Sequence, residues 1–295
     1  MAHGPPNCTA STLITIRSAI KRGVMSSSLT DLLRLATGAK IVDLSQPWFV
    51  GMPHHPSHPP FLFSLLKKHG DFVGPHGHSS AAESIALGGH VGTHIDALCH
   101  FSCAGALFGG EPVPVEQSYS NGVGKLTIDT VAPIVRRGIL LDIAGFANGN
   151  LPLAPDFEIT PDLLDRAATG EGVGIQPGDV VLLRTGWARF FEDAPRFISE
   201  VHGPGPAVSG ARWLSSRKIF AAGSDTVAFE RVPDPSMPVH VHLLVESGIH
   251  IIECLNLESL AEQGIWEFLF VASPLRILGG TGSPMRPFAL VPSGM

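Results

Sequence analysis

Helical and strand-like segments alternate along the second half of the chain, and this alternation limits the possible folds more than any other feature. Thr160-Pro161 predicts a helix start, because threonine is a good N-cap and proline suits the first helical position. The apolar run 179–185 is typical of a buried strand. The same pattern predicts helices at 128–137, 209–216, 241–247 and 257–263 and strands at 138–143, 218–223, 249–254 and 266–272. We therefore expect an α/β fold with a mixed sheet.

No linker, repeat or change of composition divides the chain. Hydrophobic residues make up 44% of it and charged residues 16%, which provides apolar material for a large core. We expect residues 26–295 to be a single domain and residues 1–25 to be a disordered leader or an extended start.

Charge and hydropathy argue against two classes of partner. The net charge is −6 and no run of Lys and Arg exceeds two residues, whereas nucleic-acid binding needs clustered basic residues. No apolar run reaches the roughly 18 residues that span a bilayer. Four scattered cysteines do not form a disulfide framework and favour a reducing cytoplasm. These features predict a cytoplasmic protein with a small-molecule partner, and neither nucleic acid nor membrane binding.

Histidine is over-represented, with 14 residues against a single tyrosine. Three histidines and one aspartate lie within residues 89–100. His90, His94 and Asp96 have the same parity, so on an extended chain they point to one face. If a helix began near Asp96 instead, His100 would lie one turn further on and still be a neighbour. Both geometries predict one polar cluster.

Two imidazoles and a carboxylate suit Zn²⁺, Mn²⁺ or Fe²⁺, and we expect Zn²⁺ or Mn²⁺ held by His90, His94 and Asp96. Such an ion lowers the pKa of its bound water to roughly 7 and so makes hydroxide available at neutral pH. His100, beside this triad, is placed to act as a general acid or base.

The segment 90–100 resembles the His-x-Gly-Thr-His-x-Asp-x-Pro-x-His signature of the cyclase family of metal-dependent hydrolases. This family includes bacterial kynurenine formamidases, isatin hydrolases and some imide-hydrolysing enzymes. Further segments are similar to the family in the same order: 43–47, 51–53, 178–187, 223–226 and 279–286. Leu98 stands where the signature often has proline, and His54-His55-Pro56-Ser57-His58 replaces the usual Trp-Pro-Gly of the first loop.

The resemblance implies a swivelling β/β/α fold, a homodimer or homotetramer, and further site residues. His90, His94 and Asp96 look like the metal triad, and His100 like a catalytic or second-metal histidine. His240 and Glu253 resemble the distal histidine and glutamate that complete the site, His240 as a metal ligand and Glu253 as a catalytic residue. His242 is an alternative to His240, and a helix cap or salt bridge is an alternative role for Glu253.

Three functions follow from these expectations. The first is ring-opening of a cyclic amide or imide by metal-bound hydroxide. It is favoured because the chain is longer than a typical kynurenine formamidase. The second is arylformamidase action on N-formylkynurenine. The third, of another class, is a metal-binding protein without catalytic activity. The resemblance implies that the first loop faces the substrate. Six histidines lie between positions 54 and 78. They belong either to an ordinary surface loop or to a lid that offers hydrogen bonds to a carbonyl-rich substrate.

Overall fold

Four parallel strands form the centre of a nine-stranded mixed sheet in a computed structural model that describes residue 33 and residues 36–292. The strand order is β1-β13-β11-β5-β7-β9-β10-β4-β12. Its strands are β1 (Lys40–Asp43), β4 (His94–Asp96), β5 (Ile134–Leu141), β7 (Val180–Leu183), β9 (Ala221–Ser224), β10 (His250–Glu253), β11 (Glu267–Ala272), β12 (Gly282–Pro284) and β13 (Phe288–Val291). β5, β7, β9 and β10 are parallel, and β11 and β4 join them antiparallel on either side. The predicted mixed α/β architecture is confirmed.

Two ribbons lie outside this sheet. β2 (Leu62–Lys67) pairs antiparallel with β3 (Ala82–Ala86), and β6 (Glu158–Ile159) pairs parallel with β8 (Gly205–Pro206). Every residue of β3 and nearly every residue of β2 is exposed.

β7 is apolar and buried along its whole length because both faces of the sheet are covered. Val180 and Leu182 pack into one apolar cluster, and Val181 and Leu183 pack into another on the opposite face. Helices cover the second face, whereas residues of β1, β11 and β13 contribute to the first cluster. The result is the layered β/β/α arrangement.

Three of the helices that the structure describes begin after a residue whose side chain caps the first turn, namely Asp142, Thr160 and Asp193. The described helices are α1 (Ile143–Asn148), α2 (Pro161–Gly170), α3 (Ala194–Ile198), α4 (Val208–Ser216), α5 (Pro238–His240), which continues as a π-helical segment (Val241–Ser247), and α6 (Glu258–Glu262). The Thr160 hydroxyl accepts a hydrogen bond from the Leu163 N–H and so caps α2 as expected. Single-turn 3₁₀ helices occur at Phe108–Gly110, Ile128–Thr130 and Trp187–Phe190.

The predicted helix at 128–137 is wrong. Only Ile128–Thr130 makes a 3₁₀ turn, and Ile134 already begins β5. Pro133 has no N–H to donate within a helix, and the β-branched Ile134 and Val135 that follow favour a strand.

Residues 41–291 form one compact unit. The expected leader, residues 1–25, lies outside the described residues. Within the described part of the chain, no helix is both long enough and apolar enough to cross a bilayer.

Candidate metal centre

β4 positions the core of the site. His94 and Asp96 point to one face of this strand while Ile95, fully buried, points into the apolar core, as the shared parity predicts. His90 lies in the preceding turn, where Gly92 adopts a φ of +62°. A side chain at Gly92 would be strained and would come within 2.8 Å of the Met52 methyl, so glycine suits this turn.

The chain turns after Asp96 instead of entering a helix. The His100 N–H donates to the Ala97 carbonyl at 2.9 Å, which closes a turn directly after the strand. The turn brings the His100 ring back over His90, with ring centroids 3.9 Å apart and an interplanar angle of 25°. Of the two predicted geometries, the extended one holds for residues 94–96, whereas His90 reaches the cluster from a turn and not from the strand.

Glu253 reaches the cluster from the neighbouring strand. It lies at the end of β10, directly opposite His94 in the antiparallel register of β10 and β4. One carboxylate oxygen accepts a hydrogen bond from the Phe229 N–H at 2.8 Å, and the other lies 3.4 Å from His94 Nε2. The carboxylate is thus anchored by the backbone and faces the histidines.

His240 completes the cluster from α5, whereas His242 points elsewhere. His240 Nε2 lies 3.3 Å from Glu253 Oε1 and 3.9 Å from Asp96 Oδ2. His242 instead contacts Glu246 at 2.7 Å and the Ser215 hydroxyl at 2.9 Å. The structure brings His240 to the cluster and leaves His242 outside it.

Asp96 stands at the centre. Its Oδ1 lies 2.7 Å from His90 Nδ1 and 3.6 Å from His94 Nε2. Its Oδ2 is buried and has no hydrogen-bond partner among the described residues. A buried carboxylate oxygen without a partner is costly, unless a cation occupies the space in front of it.

Two groups of donor atoms share this carboxylate. The first consists of His90, Asp96 and His100, and the second of Asp96, His240 and Glu253; within each group the ligand atoms lie within 4.8 Å of one another. Imidazole and carboxylate donors are those that suit Zn²⁺ and Mn²⁺. The donor set and the orphaned Asp96 oxygen therefore fit a divalent cation.

Burial and neighbouring charges shift the pKa values in opposite directions. Burial, reinforced by the nearby His90 ring and only partly offset by Asp96, lowers the pKa of His100 to about 4. Burial also opposes the charged form of His240, but hydrogen bonds to Glu230 and Glu253 outweigh it and raise the pKa to about 10. In Glu253, burial is outweighed by hydrogen bonds to His240 and His94, which lower the pKa to about 2.

Three further residues around the cluster were not predicted as site residues from the sequence. Glu230 is buried and accepts hydrogen bonds from His240 Nδ1 at 2.5 Å and from the His240 N–H at 3.0 Å. His250 Nδ1 donates to the Asp96 carbonyl at 2.8 Å, and the Thr281 hydroxyl lies 2.9 Å from His90 Nε2. Thr281 lies in the family-like segment 279–286, but no local motif surrounds Glu230 or His250, so these two residues could be recognised only from the tertiary structure.

Comparisons with known proteins agree with this architecture. The family model described as "Putative cyclase" matches residues 42–231, more than half of the chain. The chain therefore belongs to the cyclase family.

Named relatives of the chain are hydrolases. An isatin hydrolase of Roseibium aggregatum is 30% identical over 219 residues, covering 70% of this chain and 74% of the relative. A kynurenine formamidase of Bacillus cereus is 24% identical over 245 residues, covering 83% of this chain and 94% of the relative. The crystal structure of a novel cyclase superposes with a TM-score of 0.79 at 28% identity, covering 90% of this chain and 92% of the other. Together these findings identify a cyclase-family hydrolase.

Proposed function

We propose that this protein is a metal-dependent hydrolase of a C–N bond that opens a cyclic amide or imide. The proposal rests mainly on Asp96 Oδ2, which is buried and has no hydrogen-bond partner among the described residues. This oxygen lies where the two groups of ligand atoms meet. A permanently empty site would leave this oxygen desolvated without compensation.

We assign His90, His94, Asp96 and His240 as ligands of Zn²⁺ or Mn²⁺. Glu253, a catalytic residue by its resemblance to the family, also lies within one of the two ligand groups, so it would contribute a carboxylate oxygen to the same centre. When bound, the ion supplies Lewis-acid polarisation of the substrate carbonyl and a water of lowered pKa.

His100 is assigned the proton transfer. Its ring nitrogens make no hydrogen bond within the described part of the chain, and its ring is only partly buried against His90 and Phe101. A neutral imidazole there can take a proton from the attacking water and then deliver it to the leaving nitrogen. His94 cannot do this equally well, because its Nδ1 donates to the Gly92 carbonyl at 2.7 Å and its Nε2 faces the carboxylates.

A cyclic substrate is favoured over N-formylkynurenine. The isatin hydrolase relative has 30% identity, against 24% for the kynurenine formamidase. The ring of Phe101 lies 4.8 Å from that of His240 and 5.0 Å from that of His100, and an aromatic ring at this place suits a planar substrate. The open-chain formamide remains the second candidate.

Elemental analysis and a substrate panel test the proposal together. We expect stoichiometric zinc or manganese in the wild type and its loss in Asp96→Asn, because the amide removes the negative charge at the centre of both ligand groups. Isatin, succinimide, dihydrouracil and N-formylkynurenine should be assayed in parallel, and isatin or succinimide should be the faster substrate. Fast turnover of the formamide alone would reverse the ranking, and protein free of transition metal would refute the proposal.

A metal-binding protein without catalysis is the competing function of another class. It predicts bound metal and no turnover of any of the four substrates. The unpaired nitrogens of His100 argue against it, because a purely structural metal site has no use for a proton carrier beside the ion.

We also propose that the protein is a homodimer or homotetramer. The β2–β3 ribbon exposes large apolar side chains, which would be costly in a monomer: Leu62, Phe63, Leu65, Leu66 and Ile85 are 47–72% exposed. Light scattering should give at least twice the mass of the chain, and Leu66→Lys should lower it. A monomeric wild type would refute this assignment.

The cytoplasmic location stays a prediction.

A further inference from the structure

The loop that departs from the family pattern lies over the candidate metal centre. The His58 ring stacks on His90 with centroids 5.1 Å apart and an interplanar angle of 28°, and it lies 6.2 Å from the His100 ring. His58 is only partly buried. Of the six histidines between positions 54 and 78, it is the one whose ring contacts both His90 and His100.

Local contacts hold this loop in place. The His58 N–H donates to the His55 carbonyl at 2.9 Å, and the His55 ring contacts the Ser57 hydroxyl at 2.6 Å. Pro59 packs so closely on Gly88 that a Cβ there would lie 3.1 Å from the proline ring. Since Gly88 lies two residues before His90, this contact fixes the loop against the segment that carries the site.

The ring nitrogens of His58 make no hydrogen bond to any residue that the structure describes. The neighbouring histidines differ: His54 and His55 each have a bonded Nδ1, and His69 contacts the Ser79 hydroxyl at 3.0 Å. An imidazole N–H that is partly desolvated and without a protein partner favours a ligand that brings an acceptor.

We propose that His58 is a specificity-determining residue that donates a hydrogen bond to a second carbonyl of the substrate, beside the carbonyl that is hydrolysed. The centroids of the His58 and His100 rings lie 6.2 Å apart, so a substrate that contacts His100 lies within reach of a hydrogen bond from the His58 N–H, since an N–H···O bond spans about 2.7–3.2 Å. A ring with a single carbonyl leaves the His58 N–H unpaired, and sites built to bond a polar group discriminate against analogues that lack it. The inference rests on the proposed function and selects dicarbonyl rings within it.

Two variants of His58 separate hydrogen bonding from shape. His58→Phe keeps a flat ring and removes both nitrogens, whereas His58→Asn keeps a donor. With isatin, which has two adjacent carbonyls, His58→Phe should lower kcat/KM about tenfold, mainly through KM, and His58→Asn should recover much of the loss. His76→Phe, an exposed histidine of the same segment, is the matched control and should leave kcat/KM unchanged.

Inhibition by oxindole, the same ring system with one carbonyl, completes the test. Its inhibition constant should be the same for wild type and His58→Phe, because no second carbonyl is present. Unchanged kcat/KM for isatin in His58→Phe would overturn the inference while leaving the proposed function intact. Loss of metal from His58→Phe would also overturn it, since His58 would then be a ligand, whereas a wild type that contains metal but hydrolyses no ring refutes the proposed function itself.

Discussion

Glu230→Gln tests how the centre is held together, because Glu230 touches the site only through His240. This carboxylate is 1% exposed. Its Oε1 accepts from His240 Nδ1 at 2.5 Å and from the His240 N–H at 3.0 Å, and its Oε2 accepts from the Val239 N–H at 3.3 Å. A proton is thereby held on Nδ1, so Nε2, which faces Asp96 and Glu253, is the nitrogen that would bind a metal ion.

The structure sets the size of the effect. Glutamine offers one acceptor oxygen in place of two, so its NH₂ group would face the Val239 N–H and leave it unpaired. An unpaired buried donor costs about 1–3 kcal/mol of unfolding free energy. His240 also exchanges a charge-assisted hydrogen bond for a neutral one, and loss of such an outer partner typically weakens metal affinity about 10–100-fold.

Calorimetric titration of metal-free protein with Zn²⁺ or Mn²⁺ measures the affinity, and thermal unfolding measures the stability. Glu246→Gln is the matched control, because Glu246 makes the same kind of contact with His242 at 2.7 Å but is 59% exposed. We expect no change of affinity for this control. Equal affinity of Glu230→Gln and wild type, or equal weakening by both variants, would refute the assignment of His240 as the ligand and Glu230 as its positioning residue.

Two further predictions concern stability. Arg184→Ala should cost about 3–5 kcal/mol of unfolding free energy, because Arg184 is 1% exposed and its loss leaves the buried Asp142 carboxylate without its cationic partner, while Glu258 keeps Arg189. Arg189→Ala, which removes the 36% exposed partner of Glu258, should cost less than about 1 kcal/mol. Burial and the nearby Asp142 raise the pKa of Glu171 to about 8, so the folded protein binds a proton that the unfolded chain releases near pH 4.5, and the unfolding free energy should fall between pH 4.5 and 8. Glu171→Gln should remove that slope, so that relative to wild type its unfolding free energy gains about 1–2 kcal/mol at pH 8.5 compared with pH 5. This figure is reduced because the side chain is only half-buried. Denaturant unfolding at both pH values measures the difference, and parallel pH profiles of variant and wild type would contradict the prediction.

Strand parity was the most informative sequence feature for the site. His94 and Asp96 share a face because alternate residues of any strand do, so two of the six predicted residues could be placed without a fold. His240 and Glu253 could be named only through the family resemblance, because the register of β10 against β4 and the direction of α5 are tertiary properties.

The error at 128–137 has a local cause. Ile128, Val131 and Ile134 are three residues apart and so fit a helical period, although Pro133 between them cannot donate a backbone hydrogen bond in a helix. In the structure Val135 is 63% exposed while Ile134 is buried, which is the alternation of a strand that has antiparallel and parallel neighbours. Short apolar runs of this kind do not distinguish a helix from a strand by periodicity alone.

The position of the site follows from the change of strand direction at β10. β10 runs parallel to β9, so the carboxyl ends of both strands lie at one edge of the sheet, and ligand sites of α/β proteins favour this edge. β4 is antiparallel to β10, so its first residue, His94, meets the last residue of β10, Glu253. A parallel β4 would carry His94 to the opposite edge, away from Glu253. The mixed sheet is therefore a requirement of the candidate centre, because only antiparallel pairing lets the short strand that bears His94 and Asp96 begin where the parallel strands end.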